Sequence, residues 1–499
     1  MQLTLKNLSF AIASAGMLTI SGCGGGSSTT DPVATVTPVV VPEATALEQA
    51  QAFLALYDAS YAKTVPTSGT AVTAFVDGCY LDSGNTKPTL TADFDSNAAL
   101  SAESIKFRIG STRTNVKILA DRATTNTDGS SRRELDVTYQ VNYADGTITT
   151  ANTDSTLIFG SSAGAKMVSG AACATPQTAT SWRFYGNRQI IGTGMRAINQ
   201  RNTRFSLATG APLTSAVDYN KSVQLRISDP GNVAKYVVVT GPGLPTSGVK
   251  MVSPRIQRDD PLFAGKRGNY VDWLDTDLFQ FCRVSATARN VDGNAADCVA
   301  FGAAGNTYGA FNQTAALADT GFDALGFVAG APYSIAVYND DGWKTVNGQA
   351  AQTPIATVTQ TLIRLPYSSV TLAGTDVGAD AYPRMDSSVD SVQGATNIRA
   401  KTAFTTNLSW TPLGTLPDSA KFGLINLNAF VSGRATATTS VWPASRQSTQ
   451  SYPAAGATSV TGYTFAAPSA KLITPTYGEI SINLNDRNSM GIASLVTFE

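Results

Sequence analysis

The sequence contains no histidine. That removes the commonest general base, the commonest metal ligand and the commonest switch near neutral pH. Ser-His-Asp and Cys-His catalysis are thereby excluded, and zinc sites of the usual kinds lose their main ligand, since the cysteines are few and widely spaced. Charge is scarce as well: charged residues make up 14% of the chain, against about a quarter in an average soluble protein. Lys plus Arg and Asp plus Glu stand level at 36 each, a balance that points to no basic face and no nucleic-acid partner. Gly, Ser, Thr, Ala and Asn fill the space left by the charged residues, the composition of a β-rich protein that works outside the cytoplasm.

Long apolar runs are also lacking. The stretch at residues 8–20 is too short to cross a bilayer as a stable anchor. Lys6 precedes it, Ile20-Ser21-Gly22-Cys23 ends it, and Gly24-Gly25-Gly26 follow. A basic start, a short apolar core and small residues at the cut describe an export signal. Together with the cysteine, they resemble the lipobox of bacterial lipoproteins. The resemblance implies that residues 1–22 are a signal peptide, that Cys23 is the lipid attachment site carrying a diacylglycerol and an amide-linked acyl chain such as palmitate, and that the membrane is a partner through this anchor. More than one acyl chain is what stable anchoring requires. Gly24, where an aspartate would favour the inner membrane, points to the outer membrane. A plain secretory signal with Cys23 as a stray thiol is the alternative. Residues 23–42 then read as a flexible linker rich in Gly, Ser, Thr, Pro and Val, able to reach about 60 Å when stretched.

Cys79, Cys173, Cys282 and Cys298 form an even set in an exported chain, which suggests disulfides. The expected pairs are Cys79–Cys173 and Cys282–Cys298, because each falls within one expected domain. Buried free thiols are the alternative.

Three folded segments are expected. Residues 43–204 form an α+β domain. Pro42 opens a helix whose Leu47, Ala50, Leu54, Tyr57 and Tyr61 make one apolar stripe, and from about residue 72 the period changes to two. Residues 135–143 alternate cleanly and lead into the turn Ala144-Asp145-Gly146. The element order is similar to the cystatin and nuclear-transport-factor type of curved sheet. Residues 205–365 form a β-sandwich, with strands expected at 223–228, 235–240, 249–253, 278–286, 333–338 and 356–365. Residues 366–499 form another sandwich, in which Asn407-Leu408-Ser409-Trp410 resembles the second strand of immunoglobulin-like and fibronectin type III domains. The fold class is therefore mainly β.

Several short patterns invite chemical readings. Gly160-Ser161-Ser162-Ala163-Gly164 has the spacing of a nucleophile elbow, but without histidine and between strands it reads as a turn. Ser247-Gly248-Val249-Lys250 has Ser-x-x-Lys spacing, but it leads into a strand, where the two side chains diverge. Asn290, Asp292, Asn294 and Asp297 offer hard oxygens to calcium, as do Asp272, Asp275 and Asp277 and the turn Asn339-Asp340-Asp341; the same residues are also what tight turns use. No cofactor and no full metal site is expected. Trp273 and Trp343 flank acidic turns as carbohydrate-stacking residues do, and core or edge packing is the other reading for them, as it is for Trp182, Trp410 and Trp442. No catalytic residue is assigned. The function expected is a non-catalytic binding, adhesion or scaffolding role in the envelope, with a glycan or protein ligand. The alternative is an envelope hydrolase that attacks glycan through a carboxylate pair.

Overall fold

The computed structural model describes residues 44–126, 129–144, 146, 164–170, 182–244, 246, 248–253, 278–279, 319–341, 353–373, 381–385, 390–400, 402–410, 424–434, 447–451, 458–465, 477–486 and 490–499. The chain is mainly β, built from antiparallel sheets with few helices. Residues 45–499 form one compact unit. Among the described residues no helix is long and apolar enough to cross a membrane.

Helix α1 spans Ala46–Ser60 and starts four residues later than expected, because Thr45 rather than Pro42 sets its beginning. Thr45 accepts from the Glu48 backbone while the Glu48 carboxylate accepts from the Thr45 backbone at 2.8 Å, a reciprocal capping box. The buried stripe is Ala50, Phe53, Leu54, Tyr57 and Tyr61. Leu47 lies outside it, 38% exposed, and Phe53 takes its place. The helix packs on a sheet of β3 (Thr112–Thr125), β4 (Ser131–Asn142), β5 (Gly164–Ser169) and β6 (Arg183–Phe184). Leu135, Val137, Tyr139 and Val141 point inward at period two, as their alternation requires. Short helices at Lys87–Ser96 and Ala98–Ser104 fall where the sequence suggested strand. Thr86 caps the first of them with Pro88 in its opening turn, a start signal that outranks the polar alternation around it.

A seven-stranded sheet dominates the remainder. Its order is β11-β8-β7-β20-β19-β16-β17, with β7 at Gly192–Phe205, β8 at Pro212–Ser228, β11 at Leu278–Phe279, β16 at Leu424–Arg434, β17 at Gln447–Ser451, β19 at Tyr477–Asp486 and β20 at Met490–Phe498. These strands come from all three expected segments, and the boundary at 204/205 falls inside β7. The pairing of β20 with β7 is parallel, from Met490 beside Ala197 to Phe498 beside Phe205. The other pairings in the sheet are antiparallel.

Two smaller sheets pack against one face of this large sheet. The first contains β9 (Tyr236–Thr240), β10 (Val249–Val252), β12 (Pro332–Tyr338) and β13 (Ala356–Thr361). Its Val237, Val239, Ile335, Val337 and Val358 share a core with Met195, Val223, Leu225 and Ile227. The second contains β14 (Arg384–Met385), β15 (Phe404–Ser409) and β18 (Ser459–Phe465). Its Phe404, Leu408, Tyr463 and Phe465 share a core with Ile480, Ile482, Leu484, Val496 and Phe498, and Trp410 is buried there. The two layered cores thus have one sheet in common.

Candidate functional site

Two regions concentrate polar chemistry, one buried and one presented to solvent. The buried region lies under α1. Arg113, whose side chain is 4% exposed, donates to Asp58 from its guanidinium and, at 2.7 Å, from its backbone amide. The guanidinium sits 4.5 Å from the centre of the Tyr57 ring and 5.3 Å from that of Tyr139. Arg108 donates to the Tyr57 hydroxyl at 3.0 Å and lies 5.7 Å from the Tyr61 ring. Burial pushes the Asp58 carboxyl up, even with Arg113 beside it. Burial also opposes the Arg113 charge, but Tyr139, Tyr57 and Asp58 outweigh it and raise that group. These are the signs of an ion pair that gains attraction and loses solvation together.

Beside this knot, Tyr80 hydrogen-bonds Asp82. Asp82 is 7% exposed, and burial pushes it up to about 6 against the hydrogen bonds from Ser83, Tyr80 and Asn187. It sits in a hairpin of β1 (Leu81–Asp82) and β2 (Asn85–Thr86), whose turn residues Ser83 and Gly84 both have positive φ. Asn187 pins the turn by accepting from the Ser83 backbone at 3.0 Å and donating to its hydroxyl at 3.1 Å. No motif in the sequence singles out Asp82. Tyr80 and Ser83 are its sequence neighbours, but Asn187 comes from more than a hundred residues away.

The solvent-facing region is the second face of the seven-stranded sheet. Because side chains alternate, the strands that send Met195, Ala197 and Asn199 inward send Arg196, Gln200, Asn202 and Arg204 outward. Gln200 donates to Asn202 at 2.5 Å, Asn202 and Asn220 donate to Asp218 at 2.6 and 3.0 Å, and Arg204 pairs with Asp218 at 2.7 Å. Both members of that pair are 39% exposed. Across β20, Asn483 donates to Ser481 at 2.9 Å and Arg196 donates to Asn485. Between the two rows run Gly491, Ala493, Leu495 and Thr497 of β20. Ala493 is 3% and Thr497 6% exposed, so small side chains make a low floor, from which Leu495 stands half-buried. The result is a shallow depression one strand wide, with walls about 9–10 Å apart, bridged at its Gly491 end where Arg196 of β7 reaches over β20 to Asn485 of β19. The sequence does carry a signal for one wall: Ser481, Asn483 and Asn485 alternate with Ile480, Ile482 and Leu484.

The inward face is closed by other elements. Lys221 pairs with Asp323 at 3.2 Å and Asp319 at 3.6 Å. Asn199 exchanges two 2.9 Å hydrogen bonds with the Tyr367 backbone. Arg201 lies 5.6 Å from the Tyr382 ring.

Most residues singled out from the sequence fall elsewhere. Cys23, Cys173, Cys282 and Cys298 lie outside the described residues, as do Asn290, Asp292, Asn294, Asp297, Asp272, Asp275, Asp277, Trp273, Trp343, Trp442, Ser161 and Ser247. Cys79 is disulfide-bonded, to a partner outside the described residues. Lys250 belongs to β10 and pairs with Val238. The turn considered for calcium at Asn339–Asp341 engages its acids otherwise: Asp340 accepts from the Tyr236 hydroxyl at 3.1 Å and Asp341 pairs with Lys235 at 2.8 Å. Trp182 and Trp410 are core residues, 7% and 5% exposed, and Trp182 donates to Gln49 at 3.1 Å. Among the described residues no acids and cysteines gather as a metal-binding group.

No protein-family model and no curated protein matches the chain. Among solved structures it is similar to a tetra-tandem repeat in the extending region of a large adhesion protein, at 10% identity over 78% of this chain and 74% of that one, with a TM-score of 0.13, a likeness too low to bear on fold or role.

Proposed function

We propose that the chain is a lipid-anchored protein of the bacterial outer membrane that works by binding rather than by catalysis. The observation that carries this reading is the division of polar groups. The buried ionisable groups Asp58, Arg108, Arg113 and Asp82 are held by neighbours of the same chain. The large sheet meanwhile presents an ordered, half-exposed row of amides. Asp58 is engaged by Arg113, and Asp82 by Tyr80, Ser83 and Asn187, whereas amides fixed on a rigid sheet serve recognition without further ordering. In this reading Cys23 carries the lipid, residues 23–42 hold the folded unit off the bilayer, and the pairs Cys79–Cys173 and Cys282–Cys298 brace it.

Membrane fractionation tests the anchor: Cys23→Ser should move the protein from the detergent phase to the soluble fraction or block its processing, and unchanged partitioning would remove the anchor from the proposal. The non-catalytic half is tested by incubation with envelope polysaccharides. Measurable turnover, abolished by one Asp or Glu substitution that leaves the fold intact, would replace binding with hydrolysis.

A further inference from the structure

We infer that Lys221 and Asp319 are the two ends of an intramolecular amide bond, a modification site independent of the binding role proposed above. Three groups meet there as such a bond requires: an amine, a carboxyl and a base. Lys221 projects from β8 under cover, 5% exposed, and its Nζ lies 5.9 Å from the centre of the buried Phe322 ring. Asp319 and Asp323 flank that phenylalanine at the two ends of the helical turn Asp319–Asp323, and both reach the amine, at 3.6 and 3.2 Å. Their surroundings differ. The Asp323 side chain is 63% exposed and can pass protons to water. The Asp319 side chain is 29% exposed, and both its oxygens are held by Ser369, whose backbone amide donates at 2.9 Å and whose hydroxyl donates at 2.5 Å. Donors fixed on both oxygens stabilise the charge that builds when Cγ is attacked. A lysine amine becomes a nucleophile once a neighbouring base takes its proton, and separations of about 3–3.5 Å put reacting groups within range of each other. Asp319 is therefore the electrophile and Asp323 the proton shuttle.

The step balances without any added reactant. Asp323 accepts a proton from the Lys221 ammonium, and the freed Nζ lone pair attacks Cγ of Asp319. One C–O bond of Asp319 breaks as the amide C–N bond forms. The departing oxygen takes two protons from the amine nitrogen, relayed by Asp323, and leaves as water, so Asp323 ends as it began. The bond ties β8 to the helical turn that covers it and closes a loop of about a hundred residues.

The test is a peptide map of the full chain, reduced, alkylated and digested with trypsin. The sequence places Lys221 at the end of peptide 205–221 and Asp319 within peptide 290–344. A linked Lys221 resists cleavage, so residues 205–226 should be found joined to 290–344, lighter than their sum by one water molecule. Lys221→Arg, which keeps the charge but removes the amine nucleophile, should abolish the joined peptide, and Asp319→Ala should do the same. Asp323→Asn leaves both ends in place and should slow the appearance of the joined peptide in freshly made protein about a hundredfold. Separate peptides 205–221 and 290–344 in the unaltered protein would overturn the inference, and because that map needs no variant, a substitution that fails to fold leaves the test intact. A bond from Lys221 to Asp323 would overturn the assigned roles, as would linkage in Asp323→Asn at the original rate.

Discussion

The region under α1 and the outer face of the seven-stranded sheet handle polar groups in opposite ways. Under α1, buried charges are held by fixed partners: Arg113 by the Asp58 carboxylate, and Arg108 by the neutral Tyr57 hydroxyl. On the sheet, uncharged amides stand half-exposed and bond sideways along the surface. The difference teaches where each kind of group can reside. A buried charge survives only with a partner, so it serves to lock elements together. An amide loses little when it trades one hydrogen bond for another, so it suits a surface that exchanges its own bonds for those of a ligand.

Substitutions should separate the two regions sharply. The largest effect is expected for Arg113→Ala, which leaves Asp58 in a site where burial already raises its pKa. Such a loss typically costs about 3–5 kcal/mol, measured as a fall in unfolding free energy by urea titration. A loss near zero would mean that water reaches Asp58 and the knot is not closed.

The next largest effect belongs to Asp82. Its carboxyl is raised from 3.8 to about 6, so the folded state favours the protonated form. The stability linked to that proton is fully present below the unfolded value and is lost as pH rises through about 6. Asp82→Asn should therefore stabilise the protein at pH 7.5 by on the order of 2–3 kcal/mol and change little near pH 3.5. Unfolding at the two pH values checks this, and an equal effect at both would show that the acid is solvated.

The smallest effect is expected on the sheet. Asn202→Ala should shift stability by about 0.5 kcal/mol or less, because its partners can turn to water. A much larger drop would mean that the amide row locks elements together too, and the contrast between the regions would fail.

Much of the fold was legible in the residues, for reasons that are local. The alternation at residues 135–143, the turn at Gly146 and the apolar stretches at 237–239 and 335–337 all declare strands, because backbone geometry imposes a period of two on side chains. The period of the helix at Ala46–Ser60 is visible in the residues, and its start is set by the Thr45–Glu48 capping box rather than by Pro42. The helices at Lys87–Ser96 and Ala98–Ser104 show little period, because their apolar faces are thin and their caps, Thr86 and Asn97, carry the signal. Within the site, the Ser481–Asn485 alternation was visible, but nothing in it says which face meets solvent.

By itself, then, the sequence determined the β character and the absence of histidine chemistry, because composition and short-range periodicity do not depend on what lies far along the chain. Tertiary structure alone decided that β20 lies parallel to β7, that two layered cores share one sheet, and that Asp82 and the β20 depression have the environments they do. Each of these depends on pairing between residues far apart in sequence, as with Ala197 and Met490, and no local preference encodes such a partner.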